Sequence, residues 1–179
     1  SAVYGTVEVH MITRADSRPS RQPGVTLHPL EGRLGATLQM VTASVRTPFV
    51  LLAPDLGPIA DVRDADLMRL LRVADRYHAA AVGGSVRDAV GRWQLPCVQS
   101  TLKRYTLRQQ YGYDNSIEDC VVCDAIHAPF LMPTETLRAR LDHTLHTDVV
   151  DDLFLQLRHG PLAEGGLPPV LVCPDVMFP

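Results

Sequence analysis

The sequence predicts an α/β domain with a mostly parallel sheet and flanking helices. Segments with strand patterning alternate with segments of helical periodicity through the first half of the chain. Phe49–Leu52 is a short, continuous apolar run of the kind that fills a buried parallel strand. The 179 residues, 46% hydrophobic and 21% charged, are enough to bury the core of a single domain over residues 1–179.

The first predicted elements are two strands, a helix and a third strand. Residues 3–12 place β-branched and apolar side chains in near alternation, which predicts a strand. Residues 13–24 contain two prolines, two serines and three arginines and are predicted to be a polar loop. Residues 25–28 have the composition of a short second strand. Apolar residues at helical spacing predict a helix over 32–45, ahead of the strand Phe49–Leu52.

The later elements follow from caps, apolar stripes and glycines. Asp64 can cap a helix that runs to residue 77 and carries one apolar stripe. Residues 79–82 form the next strand, which Gly83-Gly84 are predicted to end. The remaining predicted elements are an edge strand over 97–109, an apolar stretch over 120–132 broken at 127–129, helices starting at 134 and 148, and a strand over 169–173.

Charge and hydropathy exclude two classes of partner. The formal net charge is −3 and the isoelectric point is about 6.1, so the chain lacks the overall positive charge of a nucleic-acid-binding protein. No run approaches the roughly 20 apolar residues that a membrane-spanning helix needs. Contact with a membrane is therefore expected only through an anchor outside this chain.

Three aspartates directly follow predicted strands. They are Asp16, Asp55 and Asp175. In open α/β sheets ligands bind beyond the carboxyl ends of the strands, so each aspartate could bind a metal, a ribose or a substrate hydroxyl. The alternative for each is a turn or capping residue, which is the commoner role of a single aspartate.

A second polar group lies within ten residues of sequence and consists of His143, His146, Asp148, Asp151 and Asp152. Such a group could supply metal ligands or a general base at the start of a helix. The alternative is capping, because aspartates in a first helical turn interact favourably with the helix dipole. The two histidines lack the glutamate of a zincin arrangement, and capping is the favoured interpretation.

The four cysteines favour at least one disulfide. Cys120 and Cys123 form a C-x-x-C pair with His127 four residues later, and Cys97 and Cys173 lie elsewhere. An even number of cysteines fits two disulfides in a protein of the secretory pathway. A zinc-stabilised module, a redox pair and reduced buried thiols stay open as alternatives.

Glycine-rich phosphate loops and the nucleophile elbow of α/β-hydrolases are absent from the sequence. Basic residues with neighbouring aromatics, namely Arg104-Tyr105, Arg108, Tyr111 and Tyr113, could bind a polymer. A solvated edge strand explains these residues equally well.

Several segments in order resemble the GT-A glycosyltransferase fold. Residues 32–55, GRLGA to LLAPD, resemble the helix and strand that lead into the D-x-D metal motif of that fold. Residues 79–87, AAAVGGSVR, are similar to its following strand, and residues 151–157, DDLFLQL, to the segment that supplies the catalytic base in many inverting members. The likeness is closest to the stem domain of fukutin-related protein and to the β-1,4-N-acetylgalactosaminyltransferase group.

The resemblance implies a Rossmann-like sheet without its first βα unit, because residues 3–12 align with the second strand of the family. It implies that Asp16 contacts the nucleotide base, that Asp55 contacts the donor and a divalent cation, and that Asp152 is the base. The expected D-x-D reads Ala53-Pro54-Asp55, with one carboxylate where a nucleotide-bound cation usually needs two ligand groups.

The resemblance also implies a disulfide pattern. Cys97 and Cys123 match the paired cysteines of the fukutin-related stem, which leaves Cys120 and Cys173 as a second pair. A protein with this pattern is expected in the secretory pathway, in the Golgi lumen or outside the cell.

The function that the resemblance implies is that of a degenerate glycosyltransferase-like domain, a pseudoenzyme that does not catalyse transfer by itself. It would serve interaction, oligomerisation or glycan recognition. The expected partner is a protein or a glycan, the domain could form a homo-oligomer, and no cofactor is expected. The alternative is an active inverting transferase that uses a UDP-sugar and Mn²⁺ or Mg²⁺.

Overall fold

The computed structural model describes residues 8–14, 24–30, 32–53, 66–88, 90–159 and 167–178. Within these ranges the chain forms twelve strands and four helices. In chain order they are β1 (Val9–Arg14), β2 (Val25–Leu30), α1 (Leu34–Ser44), β3 (Phe49–Leu52), α2 (Leu67–Tyr77), β4 (Ala81–Arg87), β5 (Trp93–Gln94), β6 (Cys97–Lys103), β7 (Thr106–Tyr111), β8 (Asn115–Ile117), β9 (Cys120–Cys123), β10 (Ala125–Ile126), β11 (Phe130–Pro133), α3 (Thr134–Arg140), α4 (Val149–His159) and β12 (Val170–Phe178).

The described strands form one large sheet and two small ones. The large sheet has seven strands in the order β3-β11-β4-β12-β9-β8, with β5 paired to β4. Only β4 and β12 pair in parallel in this sheet. The small sheets are a parallel pair, β1 with β2, and the antiparallel sheet β10-β6-β7.

The prediction of a mostly parallel, Rossmann-like GT-A sheet is wrong. β11 lies between β3 and β4 and is antiparallel to both, and β9 is antiparallel to β8 and β12. β8 and β9 are joined by only two residues, a connection that permits antiparallel pairing alone. The apolar run Phe49–Leu52 is not a fully buried parallel strand: it forms β3, which lies at one end of the described sheet, pairs antiparallel with β11 and is half-buried.

The helix predictions hold with shifted boundaries. The helices expected over 32–45, to residue 77 and from 148 are α1, α2 and α4. The cap of α2 is Asp66, whose Oδ1 accepts a hydrogen bond from the Arg69 N–H at 2.9 Å, and Asp64 lies outside the described residues.

The predicted edge strand over 97–109 is instead the two-stranded hairpin β6–β7.

Gly83 and Gly84 do not end a strand but lie inside β4. A Cβ atom at Gly84 would stand 2.4 Å from the Val176 carbonyl oxygen, and one at Gly83 would stand 3.0 Å from the Ile126 side chain. The register of β12 against β4 shifts in this region, between Cys173 and Met177. Close packing against the backbone of β12 therefore requires a glycine at position 84, and position 83 is tightly packed against Ile126.

The core lies on both faces of the large sheet. Neighbouring residues of β12 alternate between two buried clusters, as side chains on opposite sheet faces must. On one face, Leu171 packs with residues of α2 such as Leu70. On the other, Val172 belongs to the cluster that holds Phe154 of α4 and Leu137 of α3. Helices α3 and α4 therefore cover the face opposite α2.

Two disulfides, one between sheets and one within the large sheet, confirm the pairing that the resemblance implied. Cys97–Cys123 joins β6 to β9, and Cys120–Cys173 joins β9 to β12. All four cysteines are buried. The C-x-x-C pair is thus divided between two bridges, which excludes the zinc, redox and free-thiol alternatives.

No helix among the described residues is long and apolar enough to cross a membrane.

Candidate functional site

An open groove of about 460 Å³ lies between the hairpin strand β7 and the N-terminal end of α4. Its lining combines apolar side chains with carboxylates, and we refer to it as the α4 groove. The lining residues are Leu107, Gln109, Leu145, His146, Thr147, Asp148, Asp151, Asp152 and Leu155.

Local periodicity explains why these side chains meet. Leu107 and Gln109 are two apart in β7 and therefore lie on the same face of the hairpin. Asp151, Asp152 and Leu155 follow helical spacing and share one face of α4. The opposite face of α4 is buried against the sheet through Leu153, Phe154 and Leu157. The polar face of an amphipathic helix is thus turned toward the hairpin.

The loop that precedes α4 is held by α1. The Gly35 N–H donates a hydrogen bond to the Leu145 carbonyl at 3.0 Å. A Cβ atom at Gly35 would stand 2.2 Å from the Asp142 carbonyl oxygen, so only glycine fits here. The Arg33 Nε donates to His146 Nε2 at 3.2 Å, and that histidine nitrogen therefore acts as an acceptor.

Three carboxylates lie at the start of α4, where the helix dipole favours negative charge. Asp148 has a left-handed backbone, with φ of 56°, and its carboxylate accepts a hydrogen bond from the Thr147 hydroxyl at 2.8 Å. The Asp152 carboxylate accepts from the Gln156 amide at 2.5 Å. Side chains thus orient these carboxylates along one wall of the groove.

The third carboxylate, Asp151, belongs to a chain of polar groups at the edge of the groove. His127 Nε2 lies 3.1 Å from Asp151 Oδ1, and the Tyr111 hydroxyl lies 3.4 Å from His127 Nδ1. A neutral imidazole can bridge them by donating from Nε2 to Asp151 and accepting at Nδ1 from Tyr111. This chain connects β7, the turn before β11 and α4.

A partly exposed ion pair and its hydrogen bonds to Ser100 connect α4 to β6 of the hairpin. Arg158 of α4 pairs with Asp124 and donates to the Ser100 carbonyl at 2.7 Å. Asp124 also accepts the Ser100 N–H at 2.6 Å. These three residues satisfy one another, so Arg158 does not neutralise the carboxylates of the groove.

The structure separates the aspartates that sequence reasoning had singled out. Asp152 lines the α4 groove. Asp175 does not reach it: its carboxylate pairs with Arg69 Nε at 3.0 Å, and this hydrogen bond raises the pKa of Arg69. Asp16 and Asp55, the aspartates implied for donor and metal contact, lie outside the described residues.

Within the described residues, no three His, Cys, Asp or Glu side chains are grouped so that they could hold a metal ion.

The cluster predicted between 143 and 152 contributes four of its five members to the groove, since His143 lies in the preceding turn and does not line it. Leu107 and Gln109 were missed as site residues, and His127 was considered only as a zinc ligand, because only tertiary packing brings these residues to α4.

The turn before the groove gives a pH-dependent prediction. The Thr144 hydroxyl and N–H both donate to Asp142 Oδ1 at 2.7 Å and lower the pKa of that carboxyl. A carboxyl whose pKa is lowered in the folded state stabilises the protein at pH values above the ordinary carboxyl pKa of about 4. This stabilisation is lost as the pH falls through the lowered pKa. We expect D142A to reduce the melting temperature at pH 7 and to match the wild type in strong acid.

The thermal unfolding of both proteins between pH 2 and pH 7 checks this prediction. T144V, which removes the hydroxyl donor, should show a smaller effect of the same sign. A difference between D142A and wild type that stays constant down to pH 2 would contradict it.

No protein-family model matches this chain, and no curated protein matches it.

Proposed function

We propose that this chain is a lumenal or extracellular domain that recognises a neutral glycan in the α4 groove and does not transfer sugar by itself. The observation that carries the proposal is the composition of the groove, in which oriented carboxylates face apolar side chains. Two buried disulfides support an oxidising compartment, such as the Golgi lumen or the cell exterior.

Each part of the groove lining suits a sugar. Asp148, Asp151 and Asp152 can accept hydrogen bonds from sugar hydroxyls, and bonds to charged acceptors are the stronger kind. Leu107 and Leu155 offer apolar surface for the C–H faces of the ring. The carboxylates repel anions, so a neutral glycan is favoured over a sulfated or sialylated one.

Glycan binding should depend on the two helix carboxylates. D151N/D152N removes both charges but keeps side chains of nearly the same shape. We expect neutral-glycan binding to be at least about tenfold weaker, because hydrogen bonds to charged groups contribute about 1.5–3 kcal/mol. An array of neutral and acidic oligosaccharides, probed with fluorescent protein, measures this change.

The matched control is E135Q, which removes an exposed carboxylate from the first turn of α3, outside the groove. Its array signals should equal those of the wild type. Absence of any neutral-glycan signal for the wild type, or an unchanged signal for D151N/D152N, would contradict the proposal.

A second candidate is an active inverting transferase in which Asp152 is the base, and the position of Asp152 in the groove is the observation that favours it. A base must lie within hydrogen-bond reach of the acceptor hydroxyl. In this function Asp55 would hold Mn²⁺ or Mg²⁺ with the UDP-sugar, although Ala53-Pro54 replace the rest of the motif. Calorimetric titration with UDP-sugars and Mn²⁺ should release heat for a transferase and none for a recognition domain.

A further inference from the structure

The β6–β7 hairpin carries a local positive charge in a chain whose net charge is negative. Residues 98–113 contain Lys103, Arg104 and Arg108 but no aspartate or glutamate, whereas the whole chain has a net charge of −3. All three cations are exposed. None of them forms an ion pair with another residue in the part of the chain that the structure describes.

The register of the hairpin places these cations away from the groove. Lys103 pairs with Thr106 and Thr101 pairs with Arg108, so Lys103 and Arg108 are diagonal neighbours on one face. Leu107, which lines the α4 groove, points to the other face. A basic face and an acidic groove thus lie on opposite sides of the same hairpin.

The hairpin turn has a conformation that its residues disfavour. Arg104 and Tyr105 have φ of 48° and 63°, as a two-residue type I′ turn requires, and such turns favour Asn-Gly. Bulky residues in the left-handed region cost of order 1–3 kcal/mol each. Tyr105 is fully exposed, so packing within this chain does not offset the cost. The turn therefore presents an aromatic ring and a cation to solvent at the expense of stability.

We propose that the outer face and turn of this hairpin, Lys103, Arg104, Tyr105 and Arg108, bind a sulfated glycan chain. Arginine donates to sulfate in a fork geometry, and lysine adds a point charge. The exposed ring of Tyr105 offers an apolar face on which a sugar ring can pack. Binding of an acidic peptide does not require such an aromatic face. The site is an open ridge, which suits a polymer, and the acidic groove behind it excludes polyanions from the other face.

Surface plasmon resonance on the full chain tests the site with three probes: a heparin-derived oligosaccharide, the same oligosaccharide after desulfation, and polyglutamate of similar charge. We expect binding to the sulfated probe only, weakening as salt is raised. K103A/R108A should bind at least about tenfold more weakly. R46A/R87A, which removes two exposed arginines elsewhere, should bind like the wild type.

R104N/Y105G separates binding from folding, because it gives the turn its preferred residues. We expect its melting temperature to rise by about 3 °C or more while sulfated-glycan binding falls at least about tenfold. The proposal is overturned if the wild type does not bind the sulfated probe, if polyglutamate binds as tightly, if R46A/R87A weakens binding as much as K103A/R108A, or if R104N/Y105G keeps full binding.

Discussion

Replacing Cys120 and Cys173 together by alanine is expected to lower the free energy of unfolding by about 4 kcal/mol. The bridge spans a sequence separation of 53, and closing a loop of that length restricts the unfolded chain by roughly this amount. It also joins β9 to β12 in the middle of the large sheet, where both cysteines are buried. Urea denaturation of the wild type and the variant measures the difference.

C97A/C123A is the matched comparison, because it removes the other bridge, whose separation is 26. Its expected loss is about 3.5 kcal/mol, slightly smaller because the loop is shorter. Thiol counting in denaturant should find no free thiol before reduction and four after it. Four free thiols before reduction would contradict the disulfide assignment, and a loss below about 1 kcal/mol would contradict its contribution to stability.

Truncation of Phe154 to alanine is expected to cost about 3–5 kcal/mol. Phe154 is 2% exposed, and its ring centroid lies 5.0 Å from that of Phe130 on β11. The ring anchors α4 to the sheet, so its loss leaves a cavity beneath the helix that carries the groove carboxylates. Urea denaturation measures the loss, and the oligosaccharide array should show weaker neutral-glycan binding by the same variant.

F154L keeps most of the buried volume and should cost less than about 1.5 kcal/mol. Comparable losses for F154A and F154L would show that shape, and not volume, is decisive at this position. A loss below about 1 kcal/mol for F154A would contradict the anchoring role of the ring.

The elements of the fold were largely predictable because their signals are local. Apolar residues at helical spacing located α1, α2 and α3 within a few residues. Strand pairing was not predictable, since the antiparallel return of β11 between β3 and β4 depends on contacts distant in sequence. The glycines of β4 were misread as a strand end, because close approach of Val176 to Gly84 leaves no local signal.

The candidate site was predictable only where its residues are neighbours in sequence. Asp148, Asp151 and Asp152 lie close together in sequence at the start of α4 and could be found from spacing alone. The pairing of His127 with Asp151 joins residues 24 apart and requires the fold. Asp175 was expected beyond the end of a strand over 169–173, but it lies inside β12, where Arg69 of α2 pairs with it outside the groove.

Backbone NMR during titration with the neutral oligosaccharide of highest array signal tests recognition in the α4 groove most directly. Amide resonances of residues 107–109 and 145–155 should shift and saturate, while those of α2 on the far side of the sheet stay unchanged. Shifts confined to other surfaces, or none at millimolar oligosaccharide, would show that the groove is not the binding site.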